Sequence, residues 1–320
     1  MSILITGGTG SLGASLAEEM ISEGIEGVVL FDSRPDYERV SGFGEKVKIV
    51  QGNITDWPDV VRTIKEYEIK EIFHLAALLF SESMERPYAS FKVNLEGTIN
   101  ILEAARLFSV EKVVFASTIA TFSPGLPEPV KEGAPQAPKS LYGITKLAGE
   151  LWGLYYHEQY GIDFRALRFA RIVNAGRIGI GTALFPSSMI EDAVRRKDHK
   201  VEVPEDYRVP IIYIKDAVRA LLLLYKASRI KTRIYNIRGI LPTAKEIMEK
   251  LKVLLPDAPL SFAENPAAPG LTMSLSFDDS KASEELGWNM HYDLEAMVRD
   301  FIEEVQQKER VRKDKDSCTS

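Results

Sequence analysis

The first thirteen residues constrain the fold more than any other stretch of the chain. Ser2-Ile3-Leu4-Ile5-Thr6 is a short, largely apolar run, and Gly7-Gly8-Thr9-Gly10-Ser11-Leu12-Gly13 follows it at once, leading into a helical stretch over 11–23. A strand that turns through spaced glycines straight into a helix is the opening of a parallel crossover unit, which needs further strands beside it. The next 150 residues supply them. Short apolar runs at 27–32, 46–50, 71–75, 112–117 and 163–169 alternate with helical segments near 57–67, 88–108 and 142–160, the last closed by Gly161 as a C-terminal cap. The predicted fold class is α/β, a doubly wound parallel sheet with helices on both faces.

The glycines follow a G-x-x-G-x-x-G spacing between strand and helix. Gly7 and Gly10 let the backbone turn tightly and approach a pyrophosphate, and Gly13 lets the helix pack on the sheet. The helix N-terminus adds N–H groups and a dipole that favour phosphate charge. With Thr9, Ser11 and Leu12, these glycines are read as a dinucleotide cradle, and the sheet as Rossmann-like. A glycine triplet alone is a weak signal; its place between strand and helix is what gives it weight. The second strand ends in Phe31-Asp32-Ser33, where a carboxylate can accept from both adenosine ribose hydroxyls and would repel a 2′-phosphate, so NAD is expected rather than NADP. Arg34 is either a phosphate contact or a plain surface arginine. Asn53 and Ile54 are expected to flank the adenine. Leu75, Ala76 and Ala77 are small enough to lie against the cofactor, and Phe169 and Ala170 end the sixth strand beside it.

Tyr142-Gly143-Ile144-Thr145-Lys146 puts a tyrosine and a lysine four apart, on one face of a helix. A free phenol titrates near 10 and is a poor base at neutral pH; an ammonium beside it stabilises the phenolate. Ser117-Thr118 ends the fifth strand, where a hydroxyl can hold the reacting oxygen, with Thr118 the preferred group and Ser117 its alternate and a cofactor contact. Thr118, Tyr142 and Lys146 are thus the predicted catalytic residues. Asn94, a poor helix former within a helical segment, is assigned either a structural bond or a cofactor contact. His74 is read as a core histidine.

Composition narrows the partners. Lys and Arg total 40 against 46 Asp and Glu, a net charge of −6, which argues against nucleic acid or an anionic membrane. The single cysteine excludes an internal disulfide, and four scattered histidines offer no metal spacing, so no metal is expected and a reducing cytoplasm fits best. The chain opens on a strand, which leaves no evident signal peptide. Five prolines in 122–140 predict an ordered loop before the catalytic helix. Later helices are expected after Asp216, over 243–255 and 280–286, and from Asp293 as N-cap to 306. The predicted organisation is a cofactor domain over 1–170 with parts of 210–240 returning to the sheet, a substrate-binding lobe over 171–307, and a polar flexible tail over 308–320.

These residues resemble the extended short-chain dehydrogenase/reductases over 2–305. Several runs look like the short-chain L-threonine 3-dehydrogenases in particular: His74-Leu75-Ala76-Ala77-Leu78-Leu79, Ser117-Thr118-Ile119, 142–146, 208–217, Phe277-Asp278-Asp279-Ser280 and Leu286-Gly287-Trp288. The resemblance implies an NAD enzyme that oxidises a secondary alcohol on a small substrate, commonly a homodimer through the helices near 88–108 and 142–160. It departs where that family reads threonine: Phe80 stands for a serine, Ser83-Met84 for a small-acidic pair, and Gly181-Thr182-Ala183-Leu184-Phe185 for a more polar run. Phe169-Ala170-Arg171 replaces a Tyr-Pro-Gly run, and Met273 lies near the place of a tryptophan. Phe80, Met84, Thr182, Leu184 and Met273 then predict a more apolar substrate pocket, because a zwitterion there would be poorly solvated. Arg171 and Arg177 are either anion anchors or exposed loop arginines. The competing readings are a nucleotide-sugar epimerase or dehydratase that keeps its NAD, and a non-catalytic dinucleotide-binding protein.

Overall fold

A computed structural model describes residues 2–176, 185–266 and 276–318, the side chains of 311–318 excepted. Its first half follows the alternation closely: β1 (Ser2–Thr6), α1 (Ser11–Ser22), β2 (Val28–Asp32), β3 (Val47–Gln51), α2 (Trp57–Glu66) and β4 (Ile69–His74). The segment expected as one helix over 88–108 is broken. After a separate short helix α3 (Phe80–Glu85), it comprises α4 (Pro87–Ser90), a π turn (Phe91–Glu96) and α5 (Gly97–Leu107). Pro87 restarts the chain at N1, where its missing N–H costs nothing, and the π turn accommodates the buried side chain of Asn94. Then come β5 (Lys112–Thr118), α6 (Leu141–Tyr160) and β6 (Asp163–Phe169). Ser140 caps α6 by accepting from the Gly143 amide, and Gly161 ends it at φ +76°.

Beyond β6 lie β7 (Arg171–Val173), α7 (Phe185–Val194), β8 (His199–Val201), β9 (Ile211–Tyr213), α8 (Ile214–Lys226), β10 (Ile234–Ile237), α9 (Ala244–Leu254), β11 (Leu260–Phe262), α10 (Ser280–Leu286) and α11 (Leu294–Cys318). β10 joins the main sheet, whose seven strands run β10-β6-β5-β4-β1-β2-β3, all parallel. Two short parallel pairs, β7 with β9 and β8 with β11, belong to the second half. The tail expected from 308 onward is instead a continuation of α11 to Cys318. Ion pairs from Lys308 to Glu304 one turn back, and from Glu309 to Arg195 just past the end of α7, hold its first part.

Alternation along the strands explains the two layers. Ile3, Ile5, Val28 and Leu30 face one core with α1, α8 and the second half of the chain, while Leu4, Val29 and Phe31 face the other with α2 and α5. Both faces are apolar, so neither can be left to water, and each fully buried large side chain contributes roughly 1.5–3 kcal/mol. The strand order reverses between β1 and β4, and a crevice opens there at the carboxyl ends of the strands. Among the described residues, no helix is long and apolar enough to cross a membrane, and no cluster of metal-ligating side chains forms.

Candidate active site

The crevice is a cavity of about 1090 Å³ at the carboxyl ends of β1, β2, β4, β5 and β6. Gly7, Gly10, Ser11, Leu12 and Gly13 form its wall between β1 and α1. Gly7 adopts φ +67°, and a Cβ there would lie 3.0 Å from the Ala76 backbone. At Gly13 a Cβ would lie 2.3 Å from the Gly7 carbonyl, so helix and loop meet this closely only without a side chain. No side chain caps the start of α1. Asp32 and Ser33 lie at the next strand end, with Asn53 and Ile54 beyond β3, and Leu75, Ala76 and Ala77 beyond β4. An uncapped helix start, a carboxylate at the end of β2 and a small-residue floor along one continuous cavity fit a dinucleotide.

Thr9 does not line this cavity, although the sequence suggests a cofactor contact. Its hydroxyl and amide both donate to one oxygen of Asp32, at 2.9 and 3.3 Å, and its hydroxyl accepts from the Asp36 amide at 3.0 Å. Thr9 therefore orients the acidic residue from outside the cavity lining. Asn94 is likewise absent from the wall. Its side chain accepts from the Leu78 amide at 2.7 Å and donates to the Leu78 carbonyl at 2.9 Å and to Thr145 Oγ1 at 3.3 Å. It ties the loop after β4 to α6.

The cavity continues to Ser117, Thr118, Tyr142 and Lys146. Lys146 is almost wholly buried, donates to the Ala116 carbonyl at 2.8 Å, and lies 4.5 Å from the centre of the Phe115 ring and 6.0 Å from that of Tyr142. Burial pulls its ammonium down to about 7, against which the Glu150 carboxylate one turn along α6 acts to raise it. Thr118 Oγ1 accepts from the Ala120 amide at 3.2 Å, which leaves its proton to donate. Ser117 is committed elsewhere: its hydroxyl donates to the buried Glu150. His74 is the core histidine expected, held between Thr6 Oγ1 at 2.7 Å and Thr98 Oγ1 at 2.9 Å, and burial with the nearby Lys146 pushes its pKa down to about 3.

Phe169, Ala170 and Arg171 also line the cavity, as do Phe80 and Met84 of α3. Ser83 turns inward instead, to the Leu78 carbonyl at 3.0 Å. Thr182, Leu184 and Met273, and with them Arg177, lie outside the described residues. Burial lowers the Arg171 pKa, opposed by Tyr207, whose phenol bonds it. Sequence reasoning missed Leu78, Leu79, Ala120, Ile172 and Asn174, and the run Asp206-Tyr207-Arg208-Val209-Pro210 that closes the cavity. That run has no periodicity and reaches the site only because β9 pairs with β7.

Fold and site together define an NAD-dependent dehydrogenase or epimerase of the extended short-chain type. The chain belongs to the NAD dependent epimerase/dehydratase family, whose profile matches residues 3–237. The mitochondrial L-threonine 3-dehydrogenase of Bos taurus is 30% identical over 307 residues, covering 94% of this chain and 81% of that one. Among solved structures, the holo form of L-threonine dehydrogenase from Cupriavidus necator superposes with a TM-score of 0.85 at 27% identity, covering 95% and 100% of the two chains. UDP-glucose 4-epimerase from Thermotoga maritima, solved with UDP-glucose, superposes with a TM-score of 0.87 at 25% identity, covering 96% and 99%.

Proposed function

We propose that this chain binds NAD and oxidises a secondary alcohol, or reduces the matching ketone, on a substrate less polar than threonine. The observation that carries the reading is that Thr118, Tyr142 and Lys146 line the same cavity as the glycine turn and Asp32. When bound, NAD supplies the hydride acceptor. Gly7, Gly10 and the start of α1 would hold its phosphates, and Asp32 its adenosine ribose, where a 2′-phosphate would meet the carboxylate. Thr118 holds the substrate hydroxyl, and the Tyr142 phenolate takes its proton. Lys146 stabilises that phenolate, and would help hold the nicotinamide ribose when NAD is bound.

Phe80, Met84, Ile172, Val209 and Pro210 support an apolar substrate body, and Arg171 a carboxylate or phosphate on it. The dehydrogenase relatives named above favour net oxidation. The epimerase reading keeps one observation in its favour, the extension of the cavity past Tyr142 to residues 206–210, which leaves room for a larger ligand. Incubation with NAD and a panel of secondary alcohols separates the two. Accumulating reduced nicotinamide means dehydrogenation, whereas sugar-nucleotide isomerisation with no net reduced cofactor means epimerisation. The exposed apolar side chains of α5 and α6, Leu107, Leu151, Trp152, Tyr155 and Tyr160, support a homodimer through these helices.

A further inference from the structure

Behind the catalytic helix lies a buried ionic cluster that the proposed chemistry does not use. Glu150 is 1% exposed and Arg168 of β6 is 3% exposed. Arg168 grips the carboxylate with two donors, Nε to Oε1 at 2.9 Å and Nη2 to Oε2 at 2.7 Å. Its third nitrogen donates to the Glu132 carbonyl at 2.9 Å, and its guanidinium lies 4.7 Å from the centre of the Phe122 ring. Glu150 also accepts from Ser117 Oγ, and from Gln136 Nε2 at 3.4 Å. Lys146 is one helical turn before Glu150, and Ala116, which accepts from Lys146, is the neighbour of Ser117 in β5. A single carboxylate is therefore paired with Arg168, bonded to the strand end that carries Thr118, and one helical turn from the buried Lys146.

We propose that Glu150, fixed by Arg168, is a positioning residue: it favours the charged form of Lys146, which the Ala116 carbonyl holds beside Tyr142, and it holds Ser117 turned away from the substrate. Two buried cations with no anion near them would repel, and the lysine is the one that can lose its proton. The charged and titratable groups facing Lys146 are Tyr142 and Glu150 from α6 itself, His74 from β4 and, behind Glu150, Arg168 from β6. His74 is neutral at ordinary pH, and the π turn and α5 contribute Asn94 and Thr98, which do not titrate. The balance at Lys146 thus rests on Glu150. Burial and the carboxylate oppose each other there, which places the lysine where a small change in surroundings alters its charge at neutral pH.

The proposal rests on Lys146 being the charged partner of Tyr142, but its test needs no turnover. Lysine labelled with ¹³C at Cε is titrated by NMR in the full chain, the Lys146 resonance being assigned by its loss in Lys146→Met. Glu150→Gln and the charge-balanced pair Glu150→Gln with Arg168→Gln are compared with the unaltered protein, and Glu150→Asp tests rescue by a retained carboxylate. The expected result is a Lys146 midpoint lower by about one pH unit in Glu150→Gln, lower by less in the charge-balanced pair, and close to the original in Glu150→Asp, with weakened NAD binding at pH 8 in step. An unmoved midpoint in a folded neutral variant, or failure of both neutral variants to fold, would overturn the proposal and leave the pair a structural strut. Failure here would leave the assignment of Tyr142 to the turnover assay.

Discussion

The carboxylate of Asp32 accepts from both the amide and the hydroxyl of Thr9, at 3.3 and 2.9 Å, so the glycine turn and the end of β2 are locked together before any ligand arrives. The Arg34 amide occupies the other oxygen at 3.2 Å. Thr9→Val keeps the shape and removes the hydroxyl. A hydrogen bond to a charged group contributes about 1.5–3 kcal/mol, so NAD affinity measured by calorimetry is expected to fall roughly tenfold although Thr9 does not line the cavity. Asp32→Ser is expected to narrow the preference for NAD over NADP. Unchanged affinity in Thr9→Val would show that Asp32 is held without it.

His74 gives the protein an acid weakness. Its folded pKa is about 3, against 6.5 for a free histidine, because burial and then Lys146 disfavour its charge. The unfolded chain therefore binds the extra proton first. The stability this group contributes is full above pH 6.5 and is lost as pH falls toward 3, a total of about 4–5 kcal/mol at 1.36 kcal/mol per unit. Denaturant midpoints are expected to drop steadily between pH 6.5 and 4, and the slope to flatten in His74→Gln. A parallel slope in the variant would assign the acid loss to other groups.

Gly153 faces the ring of Phe164, where an added Cβ would lie 2.2 Å from the ring carbons. Gly153→Ala forces α6 away from β6 and is expected to cost about 1–3 kcal/mol by overpacking, outweighing the helix propensity gained. The urea midpoint should fall while the spectrum of the folded state is retained. A rise in midpoint would mean that Phe164 can turn aside.

Leu151 and Trp152 are 58% and 40% exposed on the face of α6 that carries Tyr155 and Tyr160. Leu151→Glu is expected to convert a dimer to a monomer in light scattering without loss of secondary structure. A monomeric parent protein would remove the dimer from the account.

The strands and the helices α6 and α11 are readable because each carries its own period or punctuation: a glycine turn after β1, Gly161 after α6, Asp293 capping α11 through the Ala296 amide at 2.8 Å. Tyr142 and Lys146 are legible as a pair because a helix fixes residues four apart. Thr9 and Asn94 were not legible in the same way. Sequence spacing marks both as polar residues near the site, but only the fold shows that Asp32 and Leu78 occupy their side chains. The second half was read least well. β7, β8, β9 and β11 have three residues each, too short for a period, and their pairings join segments about 40 to 60 residues apart. Glu150 and Arg168 are not legible as a pair, since a charged residue on a helix ordinarily reads as solvated and nothing in the spacing ties it to an arginine on the following strand.

The most direct test is reduced-nicotinamide absorbance with NAD, L-threonine and a set of less polar secondary hydroxy acids, with Tyr142→Phe as the blank. Steady reduction with an apolar hydroxy acid, faster than with L-threonine and about 10²- to 10⁴-fold slower in the variant, is the expected result. Equal rates in the variant, or L-threonine as the best substrate, would contradict the account.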